Sequence, residues 1–248
     1  MTKTRHKAKA AATYHNSENV YAMNSYMADQ KIQNKKVYLK AKSVRQEEYI
    51  SLLTDWNKQL VLATGPAGTG KSYLAVLAGI QALKSKEVQK IVITRPAVAA
   101  GDEQHGFLPG TITEKMAPWT QPIFDVMQEY YSVRDLTHML EEKIIELAPL
   151  AFLRGRSFSN CWIIADESQN CSKPLMKMLL TRIGEGSKMI VTGDINQTDR
   201  EFTNNNGLQD FISRLSYCSD SIGTVDFDTA DIQRSELVKE ILYLYGED

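Results

Sequence analysis

Eight consecutive residues do most to limit what this chain can fold into: Gly65-Pro-Ala-Gly-Thr-Gly-Lys-Ser72, a match to G-x-x-x-x-G-K-[ST]. They lie between a short apolar run, QLVLAT at 59–64, fit for a buried parallel strand, and an apolar stretch at 73–83 fit for a helix. In that setting Gly65, Pro66, Ala67, Gly68, Thr69 and Gly70 can bend into a cradle whose backbone N–H groups face phosphate, at the positive end of the following helix. Lys71 is then placed to reach β- and γ-phosphates, and Ser72 to ligate Mg²⁺. An ordinary glycine turn is the competing reading, and the flanking strand and helix count against it.

Two further apolar runs end in polar residues suited to the same site. Trp162-Ile-Ile-Ala-Asp166-Glu167 closes on two carboxylates. Asp166, at a strand's carboxyl end beside the loop, would hold Mg²⁺ through water, and Glu167 would orient an attacking water, which favours hydrolysis over a kinase reaction. Met189-Ile-Val-Thr192-Gly193-Asp194-Ile-Asn196-Gln197 ends in small and polar residues. A neutral amide there can bond both a terminal phosphate and the lytic water, which makes Gln197 a candidate sensor, with plain turn chemistry as the alternative. Strand candidates at 59–64, 90–94, 161–166, 188–192 and 221–227 alternate with helix candidates at about 46–53, 73–83, 118–131, 136–147, 174–183, 208–215 and 235–245. The alternation predicts an α/β fold, a mostly parallel sheet covered by helices on both faces.

The formal net charge of −1 conceals an uneven distribution. Residues 1–46 hold ten basic side chains and two acidic ones, an excess of +8 that leaves −9 on the remainder. This segment is poor in Leu, Ile, Val and Phe but contains Tyr14, Tyr21, Tyr26 and Tyr38. It reads either as a solvated tail or as a basic arm whose cations and stacking tyrosines contact nucleic acid. Cys161, Cys171 and Cys218 are too few for a disulfide framework and stand at no zinc-ligand spacing, so reduced thiols in a cytoplasmic protein are expected. No run approaches the roughly 18 apolar residues of a membrane span, and no apolar stretch follows the charged N-terminus, so neither membrane insertion nor export is expected.

Together, GPAGTGKSYLAV, DESQN at 166–170 and TGDINQTD at 192–199 resemble the PhoH-like family of P-loop ATPases, whose core is similar to the first motor domain of superfamily 1 helicases. ITRPAVAAGDEQHGFLPG at 93–110, LAPLAFLRGRSF at 147–158 and DIQRSELVKEIL at 231–242 extend the resemblance over roughly residues 40–245. Ser168 stands where the family's DExQN signature usually has Ala. The resemblance implies a RecA-like P-loop NTPase, a three-layer sandwich with ATP and Mg²⁺ as cofactors. Its domain would cover 47–248, after a basic arm at 1–46, and carry a helical insertion at about 100–158. It further implies ATP hydrolysis coupled to translocation on, or remodelling of, single-stranded nucleic acid, with RNA favoured over DNA. The short length resembles phage-type members and leaves no room for a second motor domain or for the ribonuclease domain of some relatives. The family's name refers to phosphate-starvation induction, an expression context rather than a mechanism.

Further site residues follow from the resemblance. Gln46 matches a glutamine that helps recognise adenine, the alternative being a solvent-facing helix residue. Arg95 lies where a helicase motif runs near the nucleic-acid track, or else makes a helix-start ion pair. Arg154 and Arg156 could contact phosphate, RNA or a neighbouring subunit. Arg234 matches the family's final motif and is a candidate arginine finger. About 15 residues follow it, so it either serves its own nucleotide or inserts into a neighbour's site, and the latter implies a ring or other head-to-tail homo-oligomer, since such a contact must close or polymerise. The stretch between Arg95 and Cys161 exceeds one crossover helix; it could form an oligomer contact or a nucleic-acid surface, or simply pack as core. A regulatory nucleotide-dependent switch that assembles on a protein partner without motor activity is the alternative function.

Overall fold

A computed structural model describes residues 35–96, 112–197, 206–215, 219–233 and 236–245. The expectations for Arg234, Cys218, residues 1–34 of the arm and the Phe107-Leu-Pro-Gly110 segment lie outside these residues.

Six strands form one sheet: β1 (Leu60–Thr64), β2 (Lys90–Thr94), β3 (Ile145–Leu147), β4 (Cys161–Ala165), β5 (Lys188–Gly193) and β6 (Ile222–Asp226), in the order β3-β2-β4-β5-β1-β6. Every pairing is parallel. Helices α1 (Val44–Thr54), α2 (Lys71–Lys84), α3 (Ile112–Gln128), α4 (Val133–Glu141), α5 (Lys173–Leu180), α6 (Gly207–Arg214) and α7 (Glu236–Tyr245), with short 3-10 turns between elements, make up the rest of the described structure. The α/β sandwich is thus the expected one, and every residue of β1, β4 and β5 is buried. Burial on both faces is why these strands read as continuous apolar runs instead of alternating ones.

The pleat divides the core in two. Val61, Ala63, Ile91, Ile93, Trp162, Ile164 and Ile190 face Tyr49 and Leu53 of α1 and the apolar side of α2, with Ile123, Met127, Leu136 and Met139 of α3 and α4 joining them. Leu60, Leu62, Val92, Ile163, Met189 and Val191 face Met176 and Leu179 of α5 and Leu208 of α6. Among the described Met and aromatic residues of the long connection, Met127, Tyr130 and Met139 are core, whereas Phe152 is exposed.

Three helices depart from their expected bounds. The helix expected at 136–147 ends at Glu141; Lys143 takes a left-handed φ of 56°, and Ile145–Leu147 becomes the edge strand β3, paired with β2. A short apolar run such as Ile-Ile-Glu-Leu carries no periodicity that separates strand from helix. The helix expected to start near residue 118 begins at Ile112, and the one expected to run to 183 stops at Leu180, where Ile183 instead forms a bridge with Phe158. The boundary placed at residue 46 falls inside α1, whose Ser43 hydroxyl caps it by accepting the Gln46 N–H, and Val37 and Leu39 already pack on the core.

Candidate nucleotide site

Parallel pairing sets the carboxyl ends of β1, β4 and β5 side by side, with Thr64 opposite Gly193 and Ala165 opposite Val191. The loops leaving these ends converge on a cavity of about 260 Å³ lined by Ala67, Gly68, Gly70, Lys71, Ser72, Tyr73, Asp166, Glu167, Gly193, Asp194 and Gln197. Crevices outside the carboxyl ends of parallel strands are where such sheets take ligands. Strand β5 separates the strand leading into the glycine loop from the strand bearing the carboxylates.

Gly70 precedes the first turn of α2 with φ 84°, ψ 11°, and a Cβ there would come within 2.9 Å of the Gln46 amide nitrogen. Only glycine meets both demands without strain. Gln46 is 3% exposed, so the solvent-facing reading is excluded. Its Nε2 donates to the Thr69 carbonyl at 3.0 Å and its Oε1 accepts the Lys42 N–H at 2.9 Å, so it braces the loop from behind. The Gln233 N–H donates to the Gly68 carbonyl at 2.9 Å, which ties the segment after β6 to the same loop.

Lys71 Nζ donates to the carbonyls of Gly65 at 2.7 Å and Pro66 at 2.6 Å and to Thr69 Oγ1 at 3.2 Å. Burial lowers its pKa, while the carboxylates of Asp194, Glu167, Asp166 and Asp226 act the other way. The Ser72 hydroxyl donates to Asp166 Oδ1 at 2.7 Å, and Thr192 Oγ1 donates to the same oxygen at 2.5 Å. Ser72 and Asp166 offer hard oxygen ligands at one point. No group of three or more His, Cys, Asp or Glu that could hold a metal occurs among the described residues. A bound Mg²⁺ would therefore complete its shell from phosphate and water, the usual habit of that ion.

Glu167 adopts a left-handed conformation, φ 52°, ψ 39°. Its Oε2 accepts from Gln169 Nε2 at 2.6 Å, while Arg95 approaches Oε1 at 3.7 Å. Gln197 is exposed at the cavity's rim, and its N–H donates to the Asp194 carbonyl at 3.0 Å. Lys71, Ser72, Asp166, Glu167 and Gln197 are thus gathered round one space. Arg156 is elsewhere: Glu146 of β3 accepts both of its guanidinium arms, at 2.6 and 3.0 Å, so it does not reach this cavity's phosphate position. Arg154 is exposed and outside the lining.

Sequence reading assigned no role to Gln169 or Thr192, although both stand inside the quoted motifs. Their roles come from contacts across the sheet, to Asp194 and Asp166, which local spacing does not disclose.

Fold and cavity together define a P-loop nucleotide-binding protein. The family model for PhoH-like protein matches residues 38–246, and the chain belongs to that family. It is 41% identical over 209 residues to a PhoH-like protein of Bacillus subtilis (strain 168), covering 84% of this chain and 64% of the relative. It is 41% identical over 192 residues to Protein PhoH of Escherichia coli (strain K12), covering 77% of this chain and 54% of the relative. The chain therefore spans only part of the length of these relatives. Among solved structures, the Hef helicase domain of Pyrococcus furiosus superposes with a TM-score of 0.43 at 10% identity, over 82% of this chain and 40% of that one.

Proposed function

We propose that this protein is an Mg²⁺-dependent ATPase that couples hydrolysis to movement along, or remodelling of, single-stranded nucleic acid, with RNA favoured. The observation that carries the hydrolytic half is Glu167, a carboxylate held on the wall of the same cavity as Lys71 and the Ser72–Asp166 pair. Lys71 would neutralise charge on the terminal phosphates, Ser72 and Asp166 would hold Mg²⁺ with those phosphates, and Glu167 would take a proton from water aimed in line. Bound Mg²⁺ would supply charge stabilisation on the phosphate oxygens. Gln46 would hold the loop in shape through the Thr69 carbonyl, with contact to adenine the further role its family match implies, and Gln197 would report on the terminal phosphate.

The nucleic-acid half rests on family membership and on an exposed basic stretch: Lys35, Lys36, Lys40, Lys42 and Arg45 all face solvent, and Tyr38 among them is 72% exposed. A polymer phosphate competing for Arg95 would free one oxygen of Glu167 and raise turnover. The test is ATP turnover with and without single-stranded RNA or DNA. The expected result is stimulation, larger with RNA, that fades as salt screens phosphate contacts. No stimulation by either polymer would sink the motor reading and favour the regulatory switch.

The hydrogen bond from Gln233 to Gly68 brings the chain to its own phosphate loop one residue before Arg234, which favours Arg234 as a sensor of its own chain's nucleotide. Mixing Arg234→Ala with Glu167→Gln protein should then recover no activity. Recovery would establish a finger supplied between subunits and the head-to-tail homo-oligomer it requires. No helix among the described residues is long and apolar enough to cross a membrane. The buried free thiols of Cys161 and Cys171 favour a reducing, cytoplasmic setting.

A further inference from the structure

We infer that Gln169 is a positioning residue for Glu167, and that its single amide links the water-activating carboxylate to the turn carrying Gln197. The inference rests on the hydrolytic reading above and adds the device that aims its base.

Gln169 is 2% exposed, and both ends of its amide are engaged. Nε2 donates to Glu167 Oε2 at 2.6 Å, and Oε1 accepts the Asp194 N–H at 3.1 Å. The orientation of the amide follows from chemistry, because a backbone N–H can only donate and a carboxylate can only accept. The oxygen must face Asp194 and the nitrogen must face Glu167. Gly193 makes the approach possible: a Cβ there would stand 2.9 Å from Gln169 Oε1 and 3.1 Å from its backbone nitrogen.

Two features of Glu167 show why it needs a holder. Its left-handed backbone is uncommon for a residue with a Cβ and is strained. The 3-10 turn Ser168–Asn170 retains it, with the Ser168 hydroxyl donating to the Ala165 carbonyl at 3.0 Å and the Asn170 N–H to the Glu167 carbonyl at 3.2 Å. Its side chain also has several rotors, which would leave the carboxylate poorly aimed without a partner. Arg95, at 3.7 Å, is at the long end of ion-pair range, so the short bond from Gln169 sets the direction.

On the far side of the amide, residues 194–197 form one turn. Asp194 Oδ1 accepts the Asn196 N–H at 3.0 Å, and its carbonyl accepts the Gln197 N–H at 3.0 Å. A displacement of that turn when terminal phosphate arrives or leaves is passed to Glu167 through one amide. Water activation is thereby tied to the presence of the phosphate that water must attack.

The test compares wild type, Gln169→Leu and Gln169→Glu for kcat and KM of ATP turnover, with binding of a fluorescent ATP analogue measured on each. Gln169→Leu keeps the volume and loses both hydrogen bonds. Its kcat should fall roughly 10- to 100-fold, while KM and analogue affinity stay within about threefold. Gln169→Glu can still accept from Asp194 but sets an acceptor against Glu167, so its kcat should fall at least as far as that of Gln169→Leu, with analogue affinity within about threefold.

A merely structural role would lower nucleotide affinity and turnover together, and that result overturns the inference. So does a Gln169→Leu kcat within about twofold of wild type. Wild-type protein that turns over no ATP would overturn the hydrolytic reading and this inference with it, whereas active wild type beside an unaltered Gln169→Leu overturns the inference alone.

Discussion

Two buried lysines, Lys71 and Lys188, answer the same physical problem in different ways. Lys71 is 9% exposed and Lys188 is fully buried. Both donate to backbone carbonyls, and burial lowers the pKa of each. Their surroundings differ. Lys71 opens onto a cavity and feels the carboxylates of Asp194, Glu167, Asp166 and Asp226. Lys188 lies under the end of α1, donating to Leu52 and Asp55 carbonyls at 2.7 Å each, with its ammonium 5.8 Å from the Trp56 ring centre and 5.9 Å from that of Trp162. It satisfies the Leu52 carbonyl at a helix end, where carbonyls lack intrahelical partners, and shares the Asp55 carbonyl with the Lys58 N–H. A buried, depressed lysine is therefore no mark of function by itself; an approachable amine among carboxylates is.

Exchanging each lysine for methionine should separate the two roles most sharply. Lys71→Met should cut ATP turnover by about 10²-fold or more, since charge stabilisation at transferred phosphate is typically worth that much, and should leave thermal stability unchanged or slightly higher. Lys188→Met should keep kcat within about twofold but lower the melting temperature, because the Leu52 carbonyl loses its donor at about 1–3 kcal/mol while the Asp55 carbonyl keeps the Lys58 N–H, partly offset by removal of a buried charge. Melting curves and turnover on the two proteins check this. Equal losses of activity in both would break the contrast.

The same contrast shows what could be read beforehand. Lys71 was legible because its role is written in its neighbours: six residues of loop precede it and Ser72 follows. Strands β1, β2, β4 and β5 were placed within a residue at either end, since strands buried on both faces are continuous apolar runs. Lys188, first residue of β5, looks locally like a solvent-facing strand end; its acceptor on Leu52 is 136 positions away. Gln169 was quoted within a motif without a role, because its second partner is 25 residues on, across the sheet. Strand β3 was missed for a related reason: three residues suffice at a sheet edge, and the pairing with β2, not the local sequence, makes them a strand.

The smallest expected effect isolates the Lys188 charge. Burial takes its pKa from 10.5 to about 8, with the Asp55 carboxylate acting the other way. Below about pH 8 the folded and unfolded chains both carry the proton, and the folded state bears the whole cost of enclosing it. Between about 8 and 10.5 the folded state releases the proton while the unfolded state keeps it, so the unfolded state binds more protons and stability rises with pH. The hydrogen bonds to Leu52 and Asp55 survive this, because a neutral amine still carries two N–H donors. Subtracting the Lys188→Met curve removes the contributions of every other group, Lys71 included. The difference in unfolding free energy, from denaturant melts between about pH 7.5 and 10, should grow with pH at no more than about 1.4 kcal/mol per unit, the limit for one proton. Parallel curves would mean that Lys188 keeps its proton through this range. The cation would then be fully compensated by its two carbonyls and the tryptophan faces, and the difference from Lys71 would lie in access alone.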